Sequence, residues 1–306
     1  MGPLKLFKDV RKNPLCYLLA LPALVYTFLF GYMTLPYIYI AFTNFHIGRG
    51  LWRSEFVGLS NFAFFFGSPR AWQITYNTLA INVFSLFLGT ALSVILAIML
   101  NEVSRVLFKK VSQSILIFPH FLSWVVVSYI VFAIFSTERG FANNALSFFG
   151  FETIGWYAQA EYWRPILIIV RIWKFVGINT VIFLAAITGI DGGLYEAARV
   201  DGAGKWKQTR HITLPLMMPT VCILTLLGIG RIFFGDFQMV YTIIRDNGIL
   251  LPRTDVIDTF VYRALRTTAD PSAAMAVGLY QAVVGFILVL TVNLVVRKKF
   301  PEGSLF

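Results

Sequence analysis

The recurrence of long, uncharged apolar runs constrains this chain more than any other feature of its sequence. Runs long enough to cross a hydrocarbon layer of about 30 Å as helices return repeatedly between residues 15 and 296. Hydrophobic residues make up 58% of the chain and charged residues only 13%, whereas soluble domains carry about 25% charged residues. Because lipid offers no hydrogen-bond partners, runs of this length must be helical. The sequence therefore predicts an all-α polytopic membrane protein.

Six transmembrane helices are predicted from the positions of these runs. Their expected bounds are Leu15–Phe42, Ile74–Leu100, Ser114–Phe135, Pro165–Ile190, Pro215–Thr242 and Ala273–Val296. The first run is about twice as long as a signal-peptide core and lacks a small-residue cleavage site, so it is interpreted as a retained span. The connections are too short for a separate soluble domain. Residues 1–306 are therefore expected to form one membrane domain without a nucleotide-binding domain.

The distribution of lysine and arginine predicts the orientation of these spans. Basic side chains concentrate at both termini, after the second predicted span and between the fourth and fifth: Lys5, Lys8, Arg11, Lys12, Arg105, Lys109, Lys110, Arg199, Lys205, Lys207, Arg210, Arg297, Lys298 and Lys299. The opposite loops carry most of the acids: Glu55, Glu138, Glu152, Glu161, Asp246, Asp255, Asp258 and Asp270. Both termini are therefore predicted to be cytoplasmic. The net charge of +11 is interpreted as a topology signal and not as a sign of nucleic-acid binding.

One charged segment, "YEAARVDGAGKWKQTRHITLPLMMP" at residues 195–219, interrupts the apolar sequence. Asp191 can cap a short helix at its start, and Gly202 and Gly204 break that helix. Pro215 suits the first turn of the next span, where a missing N–H leaves no hydrogen bond unmade. These features predict a short helix, a glycine turn and a return into the membrane. The alternative is a solvated interfacial helix.

The order of residues in this segment resembles the EAA loop of permease subunits in binding-protein-dependent ABC importers. The match consists of Glu196-Ala197-Ala198, three residues, Gly202, nine residues, Ile212, one residue, and Leu214-Pro215. In that family the loop forms a coupling helix that docks on a cytoplasmic ATPase. The resemblance implies this role for Glu196, Ala197, Ala198, Asp201, Gly202, Ala203, Ile212 and Pro215. Residues 194–215 are called the EAA-like loop below.

Further stretches resemble the permeases for oligosaccharides and polysaccharide fragments within that family: "FVGLSNF" (residues 56–62), "NEVSRVLFKKVSQSILIFPHFLSWVVV" (101–127), "LAAITGID" (184–191), "TDVIDTFVYRAL" (254–265), "AVGLYQAVVGFILVL" (276–290) and the closing "PEGSLF". The resemblance implies the type I ABC importer permease fold in the bacterial plasma (inner) membrane. It also implies a second permease of a different chain, two cytoplasmic ATPase subunits and an extracytoplasmic solute-binding protein. The implied cargo is an oligosaccharide, and membrane lipid surrounds the spans.

The sequence contains no catalytic or metal-binding pattern. The stretch "GAGKW" (residues 202–206) lacks the upstream glycine and the following Ser or Thr of a phosphate-binding loop. His46, His120 and His211 are scattered, and the cysteines have no metal-ligand spacing. The chain is therefore expected to be a transport subunit and not an enzyme. It is expected to bind no metal or cofactor, with ATP and Mg²⁺ held by the partner ATPase.

Two other classes of membrane protein were weighed. A secondary transporter would usually show inverted repeats with helices broken at matching positions. A polytopic enzyme acting on lipid-linked sugars would need acids or histidines clustered at one membrane interface, whereas the acids here are spread singly over the loops. Both remain alternatives to the importer permease.

Four charged side chains fall inside the predicted spans: Arg171, Lys174, Arg231 and Asp236. Charges at membrane depth usually face a water-filled path or a partner. Arg171 and Lys174 share a helix face because they lie three residues apart. Arg231 and Asp236 are expected at a similar depth. The alternative is that Arg171 and Lys174 extend to the membrane interface and that Arg231 pairs with Asp236.

The charged set predicts a translocation path with a surplus of positive charge. Trp173 and Tyr280 would offer rings for stacking, and the amides of Asn179 and Gln281 would bond sugar hydroxyls. A carboxylate pairs with arginine through two parallel hydrogen bonds, so this surplus favours uronate-containing oligosaccharides. Neutral oligosaccharides remain the alternative cargo.

Overall fold

The computed structural model describes residues 12–299 and is almost entirely helical. Five helical stretches are long and apolar enough to cross a membrane: Pro14–Phe42, Pro69–Asn101, Ala160–Thr188, Lys205–Gly230 and Pro271–Lys298. A bent pair, Val106–Phe121 and Trp124–Phe135, makes a sixth crossing when it is counted as one span. With the bent pair counted as one span, the prediction of an all-α membrane protein with six spans is confirmed. The single domain over residues 1–306 stays a prediction, and residues 1–11 and 300–306 lie outside the described part.

The elements follow in chain order. They are α1 (Pro14–Thr27), a π-helical turn (Phe28–Tyr32), a 3-10 helix (Leu35–Phe42), β1 (Thr43–Asn44), β2 (Glu55–Phe56), α2 (Ser60–Phe66), α3 (Pro69–Asn101), α4 (Val106–Phe121), α5 (Trp124–Phe135), α6 (Phe141–Phe148), 3-10 turns at Trp156–Ala158 and Ala160–Tyr162, α7 (Trp163–Thr188), α8 (Gly192–Val200), α9 (Lys205–Gln208), a π-helical turn (Thr209–Thr213), α10 (Leu214–Gly230), α11 (Phe237–Ile244), α12 (Leu251–Thr254), α13 (Ile257–Arg263), a π-helical turn (Ala264–Thr268) and α14 (Pro271–Lys299). The two short strands pair antiparallel, with Thr43 opposite Phe56.

Helix α7 lies between α3 and α4 and makes close backbone contacts with both. The hydroxyl of Ser93 on α3 donates to the carbonyl of Val176 over 3.2 Å. A side chain at Gly177 would overlap the carbonyl of Leu116 on α4. Small residues allow membrane helices to approach in this way, because lipid gives no hydrophobic drive for helices to associate. These contacts fix the position of α7, which carries Arg171 and Lys174.

The third predicted span, Ser114–Phe135, is crossed by two helices that meet at a sharp bend. The axes of α4 and α5 differ by 100° across Leu122 and Ser123, here called the span-three break. Pro119 removes one helical hydrogen bond just before it. The hydroxyl of Ser123 then caps α5 by accepting from the Val126 N–H over 3.3 Å.

The fifth predicted span, Pro215–Thr242, is also interrupted, so this prediction of a continuous helix was wrong. Helix α10 ends at Gly230 and α11 begins at Phe237. Residues 231–236 between them are called the span-five break. The carboxylate of Asp236 caps α11 by accepting from the Met239 N–H over 3.0 Å. Helix α11 is thus a separate short helix after the break, and Lys205–Gly230 alone is long enough to cross a membrane.

The EAA-like loop lies at one end of the bundle, here called the loop end. A buried apolar cluster at that end joins α3, α7 and α10 through Ala97, Leu100, Phe183, Leu184, Ile187 and Met217. A second cluster surrounds Trp163 at the opposite end and includes Met239, Val240, Ile243 and Ile244 of α11. Asn247, just after α11, donates to the carbonyl of Tyr157 before α7 over 3.0 Å. Helix α11 therefore runs from the span-five break toward the opposite end.

Candidate functional site

The EAA-like loop folds as the sequence predicts. The carboxylate of Asp191 caps α8 by accepting from the Gly193 N–H over 2.9 Å. The chain then turns at Gly202, which has a positive φ of 74°. A β-carbon is unfavourable at that backbone conformation, so glycine is the natural residue there. The chain then re-enters the bundle through α9 and α10.

Large apolar side chains stand exposed around this loop. Val200 is 88% exposed, Trp206 75% and Leu194 46%. Glu196 and Asp201 are exposed beside them. Solvent-facing apolar side chains rimmed by charges are typical of a surface that a partner protein covers. The predicted coupling residues Glu196, Ala197, Asp201, Gly202 and Pro215 are exposed, and Ala198, Ala203 and Ile212 are half-buried.

Two side-chain contacts hold the EAA-like loop together, and a third attaches it to the bundle. The buried amide of Gln208 donates to the carbonyl of Ala203 over 2.7 Å. The hydroxyls of Tyr195 and Thr213 lie 2.9 Å apart. The ammonium of Lys205 lies 2.5 Å from the carboxylate of Glu102, just beyond α3. Sequence reasoning missed this last pair, because nothing in the spacing relates residues so far apart.

A cavity of about 860 Å³ opens between α3, α7, α10 and α11, along the span-five break. Its polar and charged lining comprises Asn82, Ser85, Thr90, Arg171, Asn179, Arg231, Asp236 and Gln238. Four of the eight residues predicted for the substrate path are among them: Arg171, Asn179, Arg231 and Asp236. The other four lie outside this lining.

Lys174 illustrates why a charge in a span need not face the cavity. Its side chain is buried, and its ammonium donates to the carbonyls of Pro119 over 3.2 Å and His120 over 3.1 Å, and to that of Leu122. These carbonyls lose their helical partners at the span-three break. The ammonium also lies 5.1 Å from the ring centre of Trp124. Lys174 therefore stabilises the bend between α4 and α5.

The remaining three predicted residues have other surroundings. Trp173 is 40% exposed on the outside of α7. Tyr280 packs edge-on against Phe233, with ring centres 6.2 Å apart. The buried amide of Gln281 donates to the Phe233 carbonyl over 2.8 Å and to the Asp258 carboxylate over 3.2 Å. Gln281 thus stabilises the backbone of the span-five break and does not line the cavity.

Polar side chains from three helices satisfy the backbone of the span-five break. The amide of Asn82 donates to the carbonyls of Ile232 over 2.7 Å and Phe234 over 3.1 Å. The carboxylate of Asp258 accepts from the Gly235 N–H over 2.5 Å. Non-helical backbone at membrane depth requires such partners, and it is tolerated where it lines a cavity. Sequence reasoning missed Asn82 and Asp258, although two asparagines inside one apolar span, Asn77 and Asn82, were an available signal.

The cavity carries a surplus of positive charge. Arg171 donates to the side-chain oxygen of Asn82, and Arg231 is exposed at the start of the span-five break. Within residues 12–299 the ion pairs closer than 4 Å are Arg70–Asp255, Lys205–Glu102 and Arg263–Asp255. The ion pair considered between Arg231 and Asp236 is therefore not formed. The lining therefore holds two arginines against one carboxylate, that of Asp236, which interacts electrostatically with Arg171.

A buried carboxylate organises the opposite end of the bundle. The carboxylate of Asp255 accepts from Arg263, from the hydroxyl of Thr259 over 2.6 Å and from Arg70 over 3.4 Å. It joins α13 to the start of α3. No cluster of three potential metal ligands occurs within the described residues.

Comparisons with known proteins give one consistent result. Residues 89–300 match the family described as "Binding-protein-dependent transport system inner membrane component". The polygalacturonan/rhamnogalacturonan transport system permease protein YteP of Bacillus subtilis (strain 168) is 38% identical over 287 residues, which covers 94% of this chain and 89% of that protein. Protein LplB of the same organism is 35% identical over 297 residues, covering 97% and 92%.

Solved structures with the same fold include two of bacterial alginate transporters. One is a bacterial ABC transporter involved in the import of the acidic polysaccharide alginate, with a TM-score of 0.87 and 33% identity over 96% of this chain and 99% of that chain. The other is a bacterial alginate ABC transporter in complex with an alginate pentasaccharide-bound periplasmic protein. It has a TM-score of 0.87 and 32% identity over 96% and 98% of the two chains.

Proposed function

The chain belongs to the family of binding-protein-dependent transport system inner membrane components, and from this premise we propose its cargo and its working assembly. It is a permease subunit of a sugar ABC importer. The alternatives of a secondary transporter and of a membrane enzyme acting on lipid-linked sugars find no support in the comparisons. The proposed cargo is an oligosaccharide that contains uronate residues.

The observation that carries this proposal is the pair of arginines in the cavity. Arg171 and Arg231 both line it, and neither has a carboxylate within 4 Å among the described residues. An uncompensated arginine at membrane depth is unfavourable unless an anion or water reaches it. A uronate carboxylate fits arginine through two parallel hydrogen bonds. YteP is named for polygalacturonan and rhamnogalacturonan, and the transporters of known structure are named for alginate. These polymers contain acidic sugars, which agrees with this chemistry.

The other cavity residues suit the hydroxyl groups of a sugar. Asn179, Ser85, Thr90 and Gln238 offer amide and hydroxyl groups on three different helices. The cavity is open on one side, so this chain would supply one wall of a path. A second permease of different sequence would supply the other wall. The solute-binding protein would deliver cargo at the end opposite the EAA-like loop.

The EAA-like loop is the proposed site of coupling to ATP hydrolysis. We place it and both termini in the cytoplasm, on the side where lysine and arginine concentrate. The exposed faces of Leu194, Glu196 and Val200 would dock on a cytoplasmic ATPase subunit, which would bind ATP and Mg²⁺. Lys205 and Glu102 would transmit movement of the loop to α3, and Tyr195 and Thr213 would transmit it to α10. Cargo release would thereby follow the state of the ATPase.

The proposal is tested by uptake into proteoliposomes that contain the complete complex with its binding protein. Oligogalacturonides are compared with the same oligomers after methyl esterification, which removes the charge and keeps the ring. Free acids should stimulate ATP hydrolysis and enter faster than the esters. Equal uptake of both forms, or uptake of neutral sugars alone, would overturn the acidic cargo and leave the permease assignment standing.

A further inference from the structure

A compact aromatic patch adjoins the cavity on its side away from the EAA-like loop. The rings of Phe237 and Tyr241 on α11 are stacked, with centres 5.2 Å apart and planes at 13°. Tyr262 on α13 closes a triangle, with its ring centre 4.9 Å from that of Phe237 and 5.1 Å from that of Tyr241. Arg266 donates to the hydroxyls of Tyr241 over 3.0 Å and Tyr262 over 3.4 Å. These four residues are called the aromatic patch below.

The patch continues the cavity outward. Phe237 belongs to the cavity lining itself, and Tyr241 lies one turn further along α11. Helix α11 runs toward the opposite end of the bundle, as the Asn247–Tyr157 contact establishes. Tyr241 therefore lies further from the EAA-like loop than Phe237 does, and Arg266 contacts the patch at the hydroxyls of Tyr241 and Tyr262.

The residues of the patch are accessible, while the other face of α11 is buried. Met239, Val240, Ile243 and Ile244 pack into the core around Trp163. The three rings are each partly exposed, and Arg266 is exposed. Arg266 forms no ion pair within 4 Å among the described residues. The patch thus presents ring surface and an uncompensated cation.

We propose that Phe237, Tyr241, Tyr262 and Arg266 form an outer subsite for uronate-containing oligosaccharides, occupied by sugar units that extend from the cavity. This inference rests on the proposed function, since it assumes the same acidic cargo. The C–H face of a sugar ring packs on an aromatic ring, and the guanidinium of Arg266 pairs with a uronate carboxylate. A short oligomer is held within the cavity, whereas a longer one also covers the patch.

The position of the patch favours a sugar over a protein partner. Its composition is common to both, because tyrosine, phenylalanine and arginine are also enriched at protein interfaces. The continuity of Phe237 with the charged cavity lining places the patch on the path of the cargo.

The test is the length dependence of uptake in the complete complex. A galacturonate disaccharide and a hexasaccharide are supplied separately on saturating binding protein, and initial uptake rates are compared as a ratio. Arg266→Gln and Tyr241→Ala should lower the ratio of hexasaccharide to disaccharide uptake by about fivefold to tenfold. Tyr241→Phe keeps the ring and should retain most of the ratio. Arg139→Gln, which removes an exposed arginine after α5, is the matched control and should leave the ratio unchanged.

Three results would overturn the subsite. An unchanged ratio in Arg266→Gln and Tyr241→Ala would mean that cargo does not reach the patch. An equal fall for both lengths would indicate a general role, such as docking of the binding protein. Loss of the second permease from the purified variants would make the patch a contact between subunits. If the wild-type complex imports neither uronide, the proposed function itself fails.

Discussion

The guanidinium of Arg171 donates a hydrogen bond to the side-chain oxygen of Asn82. The amide nitrogen of the same Asn82 donates to the carbonyls of Ile232 and Phe234. One buried side chain on α3 thus connects a cavity arginine on α7 with the span-five break. The break carries Arg231, so the two cavity arginines are positioned by a shared support.

Asn82→Leu should therefore destabilise the protein and abolish transport. Leucine has a similar size but leaves two backbone carbonyls and the Arg171 guanidinium without their partner. Each buried group left unpaired costs about 1–3 kcal/mol. The thermal midpoint of the nanodisc-embedded complex should fall by several degrees. Asn179→Leu is the control: it also lines the cavity, but no backbone bond from its side chain is observed, so its midpoint should stay near wild type. If the Asn82→Leu variant were as stable as wild type, Asn82 would not stabilise the span-five break.

Lys174→Met should destabilise the bend between α4 and α5 without changing selectivity. Methionine approximates the length of lysine but donates nothing to the Pro119 and His120 carbonyls. We expect a loss of about 3 kcal/mol in unfolding free energy. Lys110→Met, at an exposed position on α4, should be close to neutral. If Lys174→Met were stable but impaired only with acidic cargo, Lys174 would belong to the substrate path after all.

Asp255→Asn should weaken the opposite end of the bundle. The carboxylate is buried and joins Arg70, Arg263 and Thr259, so its neutralisation leaves the half-buried Arg263 without its counter-charge. Breaking one side of a buried ion pair costs about 3–5 kcal/mol. Denaturation in detergent is the measurement, with the exposed Asp246→Asn as control. Equal midpoints for the two variants would show that the network contributes little.

Gly202→Val should uncouple transport from ATP hydrolysis. Gly202 has a φ of 74°, which a β-branched residue adopts only with strain. Glu196→Lys should have the same effect by reversing an exposed charge on α8. Both variants should insert and assemble but lose cargo-stimulated ATP hydrolysis. Gly204→Ala is the matched control, because Gly204 has an ordinary φ of −68° and open space around it. Normal uptake by Gly202→Val or Glu196→Lys would contradict the coupling role, and the EAA-like loop would then be only a solvated connection.

The sequence predicted the features that depend on long runs or local patterns. The six crossings follow from hydrophobic length, and the Asp191 cap and the turn at Gly202 follow from local chemistry. The span-five break and the size of the bend at the span-three break were not predicted, because hydropathy does not register where an apolar run changes direction. Leu122 and Gly235 are both uncharged, and each follows a phenylalanine. Their partners lie on distant helices, and only the structure brings those together.

The substrate path was only half predicted for the same reason. Residue type marked Arg171 and Lys174 alike, since both are cations on one face of the same helix. Their roles differ because Lys174 bonds backbone carbonyls at the bend between α4 and α5, whereas Arg171 lines the cavity. Gln281 likewise serves the backbone of the span-five break and not the cavity. Asn82 was not predicted because the groups that it bonds, Arg171 and the carbonyls of Ile232 and Phe234, lie on α7 and in the span-five break, far along the chain.

Arg231→Gln is the substitution that tests the central claim, because no side-chain partner of Arg231 within the described residues would be lost with it. Uptake of an oligogalacturonide and of its methyl ester is measured in the same complex, wild type and variant, with the binding protein saturating. Loss of one charge-assisted pair should lower uptake of the acid by about tenfold and that of the ester by less than about twofold. An equal loss for both cargoes, or no loss for either, would contradict the account of an arginine-lined path for acidic sugars.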